Sequence, residues 1–348
     1  MKALRKNSVN ARDTELVEIP RPNPGYGEVL VKVMVAGLCG TDLRYYNTDE
    51  GRTKLRAPLI IGHEGSGIVV ERGEGVTDIN VGDRVVCQTT FDDCKRCEYC
   101  LSGAHHMCMN RTSLGSKVDG FFAQYVVCKA ERIHKLPDSV SFEEGAMVEP
   151  LSCCVHAVLE RSSLKPMDTC IIFGPGQTGL MCAQLARMAG ARVILIGTGN
   201  SRKRLEVAAQ LGFKERLIFD ADDIGQYVMN ITDAVGADVI IECSGSSQAL
   251  AMSFQLVKKQ GEILLVSAST ESRVNLWDHV VLREVTIVGT LSAQPITWKT
   301  SIEILQQKRI NVLSLVSARF ELEDWEEAFR IGSTREVQKV LLYPNGMV

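Results

Sequence analysis

The sequence predicts an α/β chain in two parts, a strand-rich, barrel-like domain and a doubly wound parallel sheet. Three observations carry that prediction. The first 150 residues hold short β-type runs separated by Gly, Pro and Asp. From about Leu151 apolar strands alternate with helical stretches, and a glycine-rich turn of the form G-x-G-x-x-G opens that alternation. The length of 348 residues suits two domains, at roughly 100–200 residues each.

In the first part the strands are 28–36, 67–71 and 83–87, each bounded by turn residues such as Pro24-Gly25, the 73–75 glycines and Gly82-Asp83. The second part reads as strand 169–173, helix 177–189, strand 192–196, helix 202–211, and strands 239–242 and 262–266. Fully apolar strands alternating with helices mean a parallel sheet covered on both faces. After about Thr290 the alternation weakens, leaving a helix over 300–308, an acidic amphipathic helix over 322–330 and a strand over 337–343. That tail is expected to complete the first domain.

Composition excludes several classes. With 45% hydrophobic and 23% charged residues the chain is globular, and 29 Gly with 10 Pro show no collagen-like or low-complexity bias. Thirty-nine basic against 42 acidic side chains give a net charge of −3, which argues against a nucleic-acid or anionic-membrane partner. There is no apolar run of ~18 residues to span a bilayer, and MKALRKNSVNARDTELVEIP has no signal-like apolar core. Twelve cysteines, four of them clustered, fit a reducing compartment, and a cytoplasmic location is expected.

Gly174-Pro-Gly176-Gln-Thr178-Gly179 follows an apolar strand and opens a helix, the context a dinucleotide fingerprint requires. Gly174 permits the tight turn, Gly176 the approach of a pyrophosphate, and Gly179 close helix–strand packing. An ordinary glycine-rich turn is the competing reading. At the end of the second strand, where NAD-binding chains carry an acidic residue, stands Gly197, followed by Thr198 and then Arg202, Lys203 and Arg204. A missing carboxylate with cations nearby favours NADP(H) over NAD(H). A solvated first helical turn is the alternative.

Cys94, Cys97, Cys100 and Cys108 lie in one loop between Phe91-Asp92-Asp93 and the Gly115 turn. Their spacing suits a closed tetrahedral zinc site that orders the loop, with an iron–sulfur cluster or a disulfide pair as alternatives. A second, dispersed set comprises Cys39 after an apolar strand, His63 beside Glu64 in a glycine-rich turn, and Glu149 in an apolar stretch. A carboxylate there is costly unless it is paired or binds a cation, and catalytic zinc takes three mixed protein ligands.

These segments together, Gly37-Leu-Cys39-Gly-Thr-Asp42, Gly62-His63-Glu64-Gly65-Ser-Gly67, the four-cysteine lobe, Glu149-Pro150 and the Gly174 turn, resemble the zinc-dependent medium-chain dehydrogenase/reductase (alcohol dehydrogenase) family. The likeness is to its sorbitol (polyol) and threonine dehydrogenase branch and runs end to end, to Lys339-Val-Leu-Leu342. It implies a GroES-like catalytic domain made of residues 1–150 and 290–348, a Rossmann domain of residues 151–289, and an active site in the cleft. Two zincs per chain are implied. Cys39, His63 and either Glu64 or Glu149 would surround the catalytic one, and the two glutamates can exchange in polyol-type members. Asp42 would orient His63, Thr41 would meet the substrate hydroxyl and take the first proton hop, and Tyr45 would line the pocket. Gly174, Gly176, Thr178, Gly179, Thr198 and Arg202 would hold NAD or NADP.

The implied reaction moves a hydride between a secondary alcohol or polyol, a sugar alcohol or its phosphate, and NAD(P), giving the ketone. Leu291-Ser-Ala-Gln294 stands where polyol members show an arginine-containing segment, which weighs against a free sugar alcohol of the sorbitol type. The sequence marks no phosphate-binding arginine in its place. Two other readings compete, a non-catalytic dinucleotide-binding protein and a zinc-independent quinone or enoyl reductase on the same scaffold. A homodimer or homotetramer is implied, with the apolar strand 285–288 as either a pairing edge or an interior strand.

Overall fold

The computed structural model describes residues 1–48, 55–267, 273–334 and 336–347. It divides into two compact units, one of residues 1–150, 293–308 and 316–348, the other of residues 151–292 and 309–315.

The first unit is built on Glu28–Leu38, an eleven-residue strand whose apolar positions are buried on both faces. Its first half pairs antiparallel with Tyr125–Lys129, its last residues with Lys339–Tyr343, and its other edge with Glu64–Arg72. The sheet runs in the order Ile133–Lys135, Arg84–Cys87, Glu64–Arg72, Glu28–Leu38, Lys339–Tyr343 and Val316–Glu321. Residues near the C-terminus thus lie beside the strand that ends at Leu38, next to Cys39. A separate pair, Thr90–Asp92 with Thr112–Ser113, forms the base of the four-cysteine loop.

The glycine-rich segment 60–67 differs from the turn expected of it. Gly62, at φ +93°, makes the turn, and Glu64 already begins a strand. Gly65 and Gly67 lie inside that strand because a Cβ would meet the Phe121 ring at 2.2 Å or the Lys32 carbonyl at 2.1 Å. In the tail, the helix expected over 300–308 is Pro295–Gln306. Pro at the first turn starts it without an unsatisfied N–H.

The second unit is a six-stranded parallel sheet in the order Arg216–Ile218, Arg192–Gly197, Thr169–Phe173, Ala237–Glu242, Val257–Leu265 and Thr286–Gly289. Ile171, Phe173, Ile194, Ile196, Ile240 and Ile263 fill its core. Numbered along this unit, the strand order is 3-2-1-4-5-6, the doubly wound arrangement that places a ligand crevice where the order reverses. Thr286–Gly289 pairs on one side only among the described residues, so the strand over 285–288 is an edge rather than interior. Among the described residues no helix is long and apolar enough to cross a membrane.

Candidate functional site

Cys39 follows the long strand, which ends at Leu38, and caps helix Gly40–Asn47. Asp42, at the third helical position and fully buried, does two jobs from there. Its Oδ2 accepts the Cys39 backbone N–H at 3.0 Å, and its Oδ1 lies 3.5 Å from His63 Nδ1. A carboxylate in a first helical turn is also favoured by the macrodipole. With Nδ1 turned to Asp42, Nε2 is the nitrogen left for a metal.

The Cys39 sulfur, a His63 ring nitrogen and a Glu64 carboxylate oxygen all lie within 4.8 Å of one another. Glu64 is fully buried. One of its oxygens pairs with the buried Lys339 ammonium, which also donates to the Leu38 carbonyl at 3.2 Å. The other, Oε1, has no hydrogen-bond partner. Glu149, in the first turn of Val148–Val155, stands outside the tight trio and accepts from Thr89 Oγ1 at 3.0 Å. Burial raises its carboxyl above the ordinary range against the opposing pull of His63, and the Glu64 charge adds to the rise. Burial would lower the His63 imidazole, yet Asp42 and Cys39 together lift it well above its usual range.

These are the marks of a cation site. Sulfur, nitrogen and oxygen donors of the type zinc takes converge, a buried carboxylate oxygen lacks a partner, and acidic groups outnumber the cations beside them. Of the two glutamates, Glu64 is inside the trio and Glu149 beside it. Thr41 and Tyr45 lie on the helix that Cys39 caps. Thr41 Oγ1 accepts from Arg44 Nη2 at 3.2 Å, and the buried Tyr45 phenol feels the charges of His63, Asp42, Cys39 and Arg44.

The second set of residues that could hold a metal is the four-cysteine loop. The sulfurs of Cys97 and Cys100 are 3.5 Å apart, those of Cys94 and Cys108 3.5 Å, and those of Cys94 and Cys100 3.9 Å. Four thiolates at ~2.3 Å from a tetrahedral zinc stand about 3.8 Å apart, so the set is preformed for that ion. All four are free thiols, which removes the disulfide alternative. Backbone N–H groups of Arg96 and Cys97 pull the Cys94 thiol down to about 6, while burial pushes Cys100 up. Asp93, which the sequence did not single out, accepts from Cys100 at 3.3 Å, faces His105 at 3.1 Å and pairs with Arg132.

In the second unit, Gly174 adopts φ +93°, and a Cβ there would lie 2.9 Å from the Ser244 backbone. At Gly179 a Cβ would fall 1.9 Å from the Gly174 carbonyl oxygen. Gly176 caps helix Gln177–Met188, of which Thr178 is the second residue, and the space above it is open except for the Arg204 guanidinium at 3.7 Å. That cradle fits a dinucleotide pyrophosphate. Arg202 is exposed at the start of its helix, and Arg204, not Arg202, reaches the glycine turn. Thr198 Oγ1 is 3.2 Å from Ser201 Oγ. Asp220, which sequence reasoning missed, accepts the Gly199 N–H at 2.7 Å. It arrives from the turn after the third strand, so its distance along the chain hid it.

Comparison with known proteins gives the family. The family model described as alcohol dehydrogenase GroES-like domain matches residues 25–138, and that described as zinc-binding dehydrogenase matches residues 178–307. The chain is 37% identical over 345 residues to a sorbitol dehydrogenase of Halalkalibacterium halodurans, covering 99% of each. It is 36% identical over 331 residues to a D-arabitol-phosphate dehydrogenase of Enterococcus avium, covering 94% of this chain and 93% of that one. A zinc-binding dehydrogenase of Sinorhizobium meliloti 1021, solved with NADP, superposes with a TM-score of 0.90 at 29% identity, covering 99% of both chains.

Proposed function

The chain belongs to the zinc-dependent medium-chain alcohol dehydrogenase family, an NAD(P)-linked oxidoreductase by that membership, and we propose that it interconverts a polyol-type secondary alcohol and its ketone. The observation that carries this reading is the convergence of Cys39, His63 and Glu64 within 4.8 Å. A zinc-independent reductase or a non-catalytic dinucleotide-binding protein has no use for such a set.

Zinc, when bound there, supplies a Lewis acid that brings an alcohol's pKa down towards neutrality, as it does for water. The chain supplies the rest. Cys39, His63 and Glu64 would hold the ion, and Asp42 fixes both the helix start at Cys39 and the ring of His63. Thr41 Oγ1 accepts the substrate hydroxyl proton, and Tyr45 bounds the pocket on the same helix. The nicotinamide, when bound, would take the carbinol hydride, so that alcohol and NAD(P)⁺ would give ketone, NAD(P)H and one proton. Glu149, which accepts from Thr89 Oγ1, would serve as the alternative carboxylate ligand to Glu64. Cys94, Cys97, Cys100 and Cys108 would hold a second zinc, which would order their loop.

Two features support NADP(H) as the preferred cofactor, namely Gly197 in place of a carboxylate and Arg204 at the glycine turn. Asp220 opposes it, although one of its oxygens is engaged by the Gly199 N–H. The assembly is proposed as a homodimer through the edge strand Thr286–Gly289, or a tetramer of two such pairs. Ile287 there is 40% exposed, and Trp277 and Leu282 nearby are 61% and 59% exposed. Twelve free thiols support a cytoplasmic location.

Zinc stoichiometry followed by a panel of secondary alcohols and polyols with each cofactor tests the reading. Two zincs per chain with turnover are expected. One zinc, held by the four-cysteine loop alone and without turnover, would sink it.

A further inference from the structure

We propose that Arg44 is an anion anchor in the substrate site, and that the alcohol taken by this protein carries a phosphate monoester. This deepens the dehydrogenase reading above and rests on it.

Thr41 and Arg44 are three residues apart on helix Gly40–Asn47 and so share a face. An arginine in a last helical turn ordinarily serves the macrodipole by lying against the final carbonyls. Here Nη2 instead donates to Thr41 Oγ1 at 3.2 Å, towards the helix start where Cys39 and Asp42 stand. The Arg44 carbonyl is satisfied separately by Thr48, through its N–H at 3.1 Å and its hydroxyl at 3.0 Å. The guanidinium is exposed, and among the described residues no carboxylate pairs with it. Its charge also reaches the Tyr45 phenol, alongside those of His63 and Cys39.

Thr41 takes one N–H of a group that has five in a planar fork, which leaves donors for a second acceptor one side chain away from the reacting hydroxyl. A fork of that shape matches a phosphate bidentately. A neutral polyol would leave those donors to water, and the ammonium of a 3-hydroxy amino acid would be repelled. A phosphate monoester carries about −1.5 to −2 charges at neutral pH and is the alcohol substituent this cation favours most. Arginine stays protonated, so Arg44 cannot pass a proton on. The proton taken by Thr41 leaves by another path.

The test uses the full-length, zinc-loaded protein with free pentitols and hexitols, their phosphate monoesters, and threonine, each with NAD and NADP. The expected kcat/KM for an ester exceeds that of its parent polyol by roughly 10- to 100-fold, the worth of one charged hydrogen-bonding pair. Arg44→Gln should bring that ratio close to one, and Arg44→Lys should leave it intermediate. Calorimetry with inorganic phosphate supplies a second readout, with binding expected in the parent protein and lost in Arg44→Gln. A ratio near one in the parent protein, or a ratio unmoved by Arg44→Gln, overturns the assignment. If neither cofactor is reduced by any alcohol while phosphate still binds through Arg44, the dehydrogenase reading fails and the anchor stands. If free polyols react as well as their esters, the reverse holds.

Discussion

Glu64 and Lys339 form an ion pair with both side chains completely buried, and it passes directly over Gly37. A Cβ at Gly37 would lie 2.2 Å from Glu64 Oε2 and 2.8 Å from Lys339 Cε. The three residues come from three adjacent strands of one sheet, so the final strand of the chain carries the counter-ion for a carboxylate at the metal site. Removing one partner of a buried pair typically costs about 3–5 kcal/mol, because a charge is left without compensation. In the zinc-free protein Lys339→Met should therefore lower the unfolding free energy of the first unit by that order, and Lys339→Arg should recover much of it. Gly37→Ala should act in the same direction by forcing the pair apart. A Lys339→Met protein as stable as the parent would show that the pair is not made.

The four-cysteine loop makes a separable prediction. Cys97→Ser removes one of four sulfurs preformed at 3.5–3.9 Å spacings, so bound zinc should fall from two to one per chain. The three remaining thiols should then react quickly with a disulfide reagent. Metal analysis and thiol titration check this together. Retention of two zincs would move the structural site elsewhere.

Stability should fall in acid through His134. Its Nε2 lies 2.9 Å from the Gln88 amide nitrogen, an arrangement that needs the ring nitrogen as an acceptor and the imidazole neutral, and burial depresses its pKa from 6.5 to about 4. The unfolded chain takes up the proton first, so the folded state has its full stability above pH ~6.5 and loses it as pH falls towards ~4. Each pH unit in that window costs about 1.4 kcal/mol, with a total near 3 kcal/mol. His134→Gln should flatten the pH dependence of unfolding between pH 6.5 and 4. An unchanged slope would exclude His134 as its source.

Features held within one stretch of chain were legible in the sequence. The Gly174 turn announced itself because strand, glycines and helix are consecutive. Cys94 to Cys108 did so because four ligands of one type fall in one loop. Cys39 and His63 were readable only as members of a known pattern, since nothing local distinguishes them from buried residues. Lys339 was missed as the partner of Glu64, since 275 residues separate the pair and strand order alone brings them together. Of the cations that follow Gly197, it is Arg204 that lies 3.7 Å from a Cβ built at Gly176, which the sequence could not single out because residues two apart on a helix face different sides. The helix placed at 300–308 begins at Pro295, where an exposed Ile296 obscured the amphipathic period.

The glycine turn separates folding from binding at two positions. Gly179→Ala would place its Cβ 1.9 Å from the Gly174 carbonyl oxygen, an overpacking that should cost roughly 1–3 kcal/mol and lower cofactor affinity as well. Gly176 has ordinary helical-entry geometry at φ −74°, and its added Cβ would meet only Arg204, at 3.7 Å. Gly176→Ala should fold with an unchanged melting temperature and still bind the dinucleotide at least tenfold more weakly, since the methyl group occupies the approach of the pyrophosphate. Fluorescence titration with NAD(P)H beside thermal melts distinguishes the two. Equal affinity in Gly176→Ala and the parent would place the pyrophosphate elsewhere.

The edge strand Thr286–Gly289 presents unpaired backbone groups next to exposed Ile287. An edge of that kind is a template for pairing with another chain unless charge or cover blocks it, and its exposed positions are Thr286, Ile287 and Gly289, none of them charged. Pairing two copies antiparallel here would join the six-stranded sheets into one of twelve and bury Ile287 with its two-fold mate. Ile287→Lys sets like charges facing each other across that axis, and Thr286→Lys adds a cation at the neighbouring exposed position. Each should convert the assembly to smaller species in light scattering coupled to size exclusion, with the zinc content unchanged. Persistence of the parent mass in both variants would assign assembly to another surface.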